Sequence, residues 1–338
     1  MRRILPAIIV LSCLAPQAGI CDLPEDHPEW FGYTAPLAPI DPIGWPVVAQ
    51  RVWVAPEVGD AYHAALLSAL RPEAQLTILA RGPQNQIDLY TWMEGEGLAP
   101  SQYAWVDVDA VDTPFVGEWG PVGLLAGGVE GGAFLLDGRY YALRTADDAA
   151  AGRISEASGA PLHRIPLFLS RAHLQSTADG TCLVGPEIYG LNIGRSAAEV
   201  AYALERYAGC ARIIAVPAPS EALQKKPLDL YVRLTGAPAT AGEGDAWGVL
   251  LGDASSWRLS LQADLEEVRN VLEAAGGGGL LTVIDVPWPE TMDNVVRSFL
   301  PLVRLDGVVV LPTYMGIPTE EETVITVLQQ ELGEIEVR

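Results

Sequence analysis

From Val47 onward, short apolar runs come in pairs, and each pair is followed by an amphipathic stretch with helical spacing. Asp60 to Leu70 carries Tyr62, Leu66, Leu67 and Leu70 on one face, with Asp60 placed to cap the helix start. Leu76–Ala80, Tyr103–Val108 and Val122–Ala126 read as strands, and Ala133–Leu136 followed by Asp137-Gly138 predicts a hairpin into Tyr140–Leu143. Ser196 to Tyr207 is the clearest helix. Ser196 and Glu199 have capping-box spacing, Val200, Ala203, Leu204 and Tyr207 line one face, and Gly209 ends it. Strands at Arg212–Val216, Trp247–Leu251, Leu280–Val286 and Val308–Leu311 alternate with helices at Asp264–Ala275 and Glu320–Leu332.

Strands alternating with helices define an α/β class. Hairpins beside helical crossovers argue against a doubly wound parallel sheet and for a strand-strand-helix unit repeated around an axis. The 34 glycines and 26 prolines fall mostly between the apolar runs, as many short elements require. No Gly-rich dinucleotide fingerprint follows a strand and no phosphate-binding P-loop occurs, so no cofactor is expected. Gly276 to Gly279 lies after a helix and before a strand, the wrong order for a phosphate cradle, and reads as a turn.

Charge restricts the partners. Lys plus Arg number 21 against 43 Asp plus Glu, a net charge of -22. Such a surface repels phosphate backbones and anionic headgroups, which excludes nucleic acid and a polybasic membrane patch. A cationic guanidino or amine ligand is compatible with it, as is a protein partner. The four cysteines, Cys13, Cys21, Cys182 and Cys210, lack CxxC spacing. His27, His63 and His163 read as isolated, so no metal site is expected. His173, among apolar residues, is a candidate base, although a core histidine is the commoner outcome. The clusters Asp147-Asp148 and Glu320-Glu321-Glu322 read as solvated helix starts.

Met1-Arg2-Arg3 before an apolar segment reads as a signal peptide over residues 1–20, so export to the periplasm, the outer membrane or the medium is expected. The segment is too short to span a bilayer, which needs about 20 apolar residues. Val10-Leu11-Ser12-Cys13 resembles a lipobox, in which Cys13 is acylated and is the sole membrane attachment; cleavage near Ala18-Gly19 is the alternative. Residues 21–46, rich in proline and aromatics, read as a linker or strap, leaving 47–338 as a single domain. In an oxidising compartment Cys182 and Cys210 are candidates for a disulfide, their spacing leaving the distance open.

Three segments resemble the guanidino-group-modifying (pentein) superfamily, in its agmatine deiminase and bacterial peptidyl-arginine deiminase branch. Phe115-Val116-Gly117-Glu118-Trp119-Gly120-Pro121 is similar to that branch's W-x-R-D-x-G-P motif. Leu169-Ser170-Arg171-Ala172-His173-Leu174, with Asp179-Gly180 following, stands where the family has E-G-G-N and a D-G turn. Lys226-Pro227-Leu228-Asp229 falls at G-H-x-D, after Asn192 and the Ser196–Tyr207 helix. The resemblance implies a five-bladed α/β propeller with substrate at its axis. It also implies attack of a cysteine thiolate on a guanidinium carbon, with carboxylates clamping the substrate and a histidine moving protons. A guanidinium is a poor electrophile, so such chemistry needs an activated thiolate.

The departures from the family fall on its catalytic groups. Gly117-Glu118 replaces Arg-Asp, Pro227 replaces the histidine, and no cysteine follows Cys210. Glu118 and Asp229 remain as a vestigial guanidinium clamp. Two functions are expected from this: a deiminase-like protein of the cell envelope that binds or scaffolds without catalysis, or a hydrolase of guanidino compounds or peptidyl-arginine with altered mechanism. An unrelated α/β domain is the third possibility.

Overall fold

The computed structural model describes residues 40–42, 51–70, 74–108, 111, 116, 120–126, 133–141, 144–218, 227–238, 246–253, 259–277, 280–288, 298, 300, 303–305, 308–312, 318–332 and 336–337. The signal segment, Cys13, Glu118 and most of the 21–46 linker lie outside them.

Within that linker, β1 (Ile40–Pro42) is a strand. The first complete unit is wholly parallel: β2 (Arg51–Val54), β3 (Gln75–Ala80) and β4 (Ala104–Asp107) are joined by α1 (Ala61–Leu70) and α2 (Gly82–Gly95). Parallel neighbours need such crossovers. Its central strand β3 is buried after the first residue, which explains its continuous apolar run.

Four further units share one pattern, an antiparallel pair followed by a helix and a parallel third strand. They are β5 (Val122–Ala126), β6 (Ala133–Arg139), α3 (Thr145–Ser158) and β7 (Leu162–Phe168), with β1 antiparallel on the free edge of β5; then β8 (Leu174–Ser176), β9 (Thr181–Val184), α4 (Pro186–Leu191), α5 (Ala197–Ala208) and β10 (Arg212–Ala215). The last two are β11 (Val232–Pro238), β12 (Trp247–Asp253), α6 (Leu259–Ala275), β13 (Leu281–Pro287), and β14 (Val303–Leu305), β15 (Val308–Val310), α7 (Pro318–Leu332), β16 (Glu336–Val337). The described residues therefore form five small sheets, none of which closes on itself.

Local chemistry accounts for several boundaries. Ser196 Oγ accepts from the Glu199 amide while the Glu199 carboxylate accepts from the Ser196 amide, the reciprocal cap that starts α5. Gly209, at φ 73°, ends it in the left-handed region. Asp60 accepts from the Tyr62 amide at the start of α1.

Two expectations are corrected. Asp137-Gly138 is not a turn: β6 runs through to Arg139, and Gly138 is needed because a Cβ there would meet the Leu169 Cβ at 2.3 Å. Asp147 does stand in the first turn of a helix, α3, but it is fully buried rather than solvated.

The core is distributed between the sheets. The β2–β4 sheet shares a cluster with the β5–β7 unit (Leu79 and Val108 with Tyr140 and Ile154). That unit packs on the next through Leu136 and Ile165 against Val184 and Leu204. Leu183 and Ile214 then meet Val232 and Val249, and Leu250 and Ile284 meet Val309 and Leu328. Val308 and Val310 of the last sheet complete the circuit against Leu67 and Ile78 of the first. Each sheet thus buries apolar surface against the next in chain order, and the fifth against the first. Among the described residues no helix is long and apolar enough to cross a membrane.

Candidate functional site

Two equivalent entry turns build the site. A single 3-10 turn, Arg171–His173, leads into β8, and a second, Leu228–Leu230, leads into β11. The turns pack against each other. Gln175 fixes the two strands beside them: its Nε2 donates to the Val232 carbonyl at 2.8 Å, and its Oε1 accepts from the Leu234 amide at 2.8 Å. One side-chain amide thereby stands in for a strand neighbour and satisfies two backbone groups.

Asp229 lies on the second turn, its side chain 24% exposed, and its Oδ2 is 3.5 Å from Arg233 Nη1 one step along β11. Burial raises the Asp229 carboxyl above its ordinary value, more than the charges of Arg233, His173 and Arg171 lower it. Burial likewise lowers the Arg233 guanidinium, with Asp229 opposing. Arg171 is exposed, yet burial is the chief influence lowering its guanidinium, followed by the like charge of Arg233 and opposed by Asp229. Tyr62, 57% exposed, behaves similarly: burial, then Asp60, then Asp229 raise its phenol. The start of α1 and the two entry turns therefore lie close enough for the charge of Asp229 to act on both.

A second cluster adjoins it. His173 is 1% exposed, and its Nε2 lies 2.5 Å from Glu187 Oε2 at the start of α4. Tyr141 donates its hydroxyl to the other carboxylate oxygen of Glu187. Burial works to raise the Glu187 carboxyl, but the hydrogen bonds from His173 and Tyr141 outweigh it and hold the group below its usual range. The other ring nitrogen, Nδ1, is buried and has no hydrogen-bond partner among the described residues. His63 is likewise not isolated, as its Nδ1 stands 2.6 Å from Asp60 Oδ2. Among the described residues no group of three or more His, Cys, Asp or Glu is placed to hold a metal ion.

Cys182 and Cys210 form a disulfide. It sits in the apolar layer between β9 and α5, in one cluster with Val200, Leu204 and Tyr207. Asp229 and His173 thus come together, while Glu118 and Cys13 lie outside the described residues. Sequence reasoning missed Arg233, Glu187 and Tyr141 as site groups. Arg233 had a legible signal, four residues after Asp229. A groove of about 380 Å³ lined by Trp53, Gln75, Thr77, Gln102 and Trp105 lies elsewhere and contains none of these charges.

No family model and no curated protein matches the chain. Solved structures do. An agmatine deiminase of C. jejuni superposes with a TM-score of 0.69 at 11% identity, covering 88% of this chain and 89% of that one. Agmatine deiminase of Enterococcus faecalis gives 0.70 at 13% identity over 92% and 91%. A protein described as a peptidyl-arginine deiminase gives 0.72 at 11% identity over 88% and 92%. The chain shares the fold of these agmatine and peptidyl-arginine deiminase structures, and at these identities the likeness is one of fold.

Proposed function

We propose that this chain is a five-bladed α/β propeller whose axial recess binds a ligand without cysteine-dependent hydrolysis of guanidino groups, and that it works outside the cytoplasm with Cys13 as its lipid attachment. The observation that carries the reading is the Cys182–Cys210 disulfide: a sulfur bonded to sulfur is not a thiolate, and a guanidinium carbon is not opened without a strong nucleophile. The cyclic order of shared cores supports the propeller. Pro227, which has no proton to give or take, precedes Asp229, and Asp229 is already occupied by Arg233. The test is incubation of the full chain with agmatine, arginine and an arginine-containing peptide, followed by assay of ammonia and the corresponding ureido product. No product is expected; turnover of any of the three overturns the reading. Mass spectrometry of the mature N-terminus checks the attachment at Cys13.

One observation favours a second reading, a hydrolase acting through water. His173, held by Glu187, which also accepts from Tyr141, stands close enough to Asp229 for their charges to interact, and a histidine so paired is a candidate general base. Turnover abolished by His173→Gln would establish that reading instead.

A further inference from the structure

We propose that the groove on the β2–β4 sheet is a carbohydrate site, taking a pyranose ring of a neutral oligosaccharide against Trp53 and Trp105 and bonding its hydroxyls through Thr77, Gln75 and Gln102. The groove measures about 380 Å³, within the range of about 300–1,000 Å³ usual for small-molecule sites. The register of the sheet builds it. Trp53 pairs with Thr77 and Thr77 with Ala104, so the three stand in one row across β2, β3 and β4. Side chains alternate along a strand, which puts Gln75 on the face of Thr77. Ala157 of α3 also lines the groove, and small side chains at Ala104 and Ala157 leave room beside Thr77.

The polar groups of the groove are unspent. Thr77 is 3% exposed, yet its hydroxyl makes no hydrogen bond with the described residues and is not sealed from solvent. A hydroxyl so deeply placed is costly to leave unbonded, and a ligand in the groove would complete it. The Trp53 indole N–H and the exposed amides of Gln75 and Gln102 are likewise unbonded among the described residues. Trp105 is held instead. Its Nε1 donates to the Pro100 carbonyl at 3.1 Å, and its ring stacks on Tyr90 of α2 at 6.2 Å between centroids and 26° between planes. A ring fixed before the ligand arrives lowers the ordering cost of binding.

This set of groups matches a sugar. Every sugar hydroxyl both donates and accepts, as do a carboxamide and a threonine hydroxyl. The C–H face of a pyranose lies flat on an indole, whose polar edge stays free to hydrogen-bond. A carboxylate or phosphate ligand calls for guanidinium or ammonium groups, and the described lining residues include none. A proline-rich peptide also seeks aromatic rings, but proline has no N–H and leaves the amide oxygens of Gln75 and Gln102 unanswered. The chain's net charge of -22 has no hold on a neutral ligand, so binding should be insensitive to salt.

The test titrates the full chain by calorimetry and tryptophan fluorescence with cellohexaose, maltohexaose and chitohexaose, and with a proline-rich peptide, each at low and high salt. Saturable, salt-insensitive binding of at least one oligosaccharide is expected, with a change in tryptophan emission. Thr77→Val keeps the shape and removes the unbonded hydroxyl, so it should melt at or above the parent temperature while binding about fivefold more weakly. Gln75→Ala with Gln102→Ala removes two exposed amides that hold nothing else among the described residues. That variant should keep the parent melting temperature and bind about tenfold more weakly or worse. The proposal is overturned if none of the three sugars binds at millimolar concentration, if both variants bind as well as the parent, or if the peptide binds saturably in their place.

Discussion

Gly185 lies so close against the imidazole of His173 that a Cβ at this position would stand 2.4 Å from Nδ1 and 3.1 Å from Cγ. Its φ of -74° is ordinary, so the glycine is required by contact and not by backbone conformation. The Gly185 amide also donates to the His173 carbonyl at 2.8 Å, which ties the entry turn of β8 to the start of α4. Gly185→Ala must displace the ring or the helix start. We expect a loss of about 1–3 kcal/mol and a changed His173 imidazole resonance, read by chemical denaturation and by NMR. An unshifted resonance would show that the ring does not rest on this glycine.

The pairing of Glu187 with His173 and Tyr141 has a pH signature. Its folded-state value is depressed, so it contributes stability that is present above the unfolded-state value of 4.5 and is lost as pH falls through the folded one. Glu187→Gln keeps the shape, replaces one acceptor with an amide and removes the charge. The expected cost at neutral pH is about 1–3 kcal/mol, with a shallower decline of melting temperature on the acid side. An unchanged acid limb would mean that this carboxylate carries none of the slope.

The disulfide links the first half of β9 to the residue after Gly209, a sequence separation of 28. Constraining a loop of that size in the unfolded chain corresponds to about 3.5 kcal/mol. Cys182→Ala with Cys210→Ala should lower the unfolding free energy by roughly 2–4 kcal/mol, measured in urea. Coincident urea midpoints for parent and double variant would contradict this.

How much of this was legible beforehand depended on whether a residue's role is local. The α5 helix could be read residue by residue because Ser196, Glu199 and Gly209 act on backbone groups within one turn. Asp137-Gly138 has the local chemistry of a hairpin, but the close approach of Leu169 from β7 decides its role. Helix α2 escaped notice because only Leu89 and Met93 of its 14 residues are buried, too sparse a stripe to register as a period. In the site, Asp229 stood out through its motif. Glu187 did not, because its partner Tyr141 is 46 residues away and their meeting is a property of packed units.

Asp137 gives the last prediction, and its sign is opposite to that of Glu187. On β6 its carboxyl is 5% exposed, and burial pushes it up to about 7, with Arg164 lowering it and Asp148 raising it. The nearest cation, Arg164, stands 3.4 Å away with its side chain 59% exposed, so solvent weakens the attraction that would otherwise keep the carboxylate charged. A group whose folded value lies above its unfolded value of 3.8 favours folding while protonated. That stabilisation is fully present below about pH 4 and is lost as pH rises through about 7. Asp137→Asn keeps the neutral shape at every pH. The variant should therefore match the parent near pH 4 and be the more stable of the two above pH 7. A parallel pair of stability curves across that range would show that Asp137 does not titrate in the folded chain.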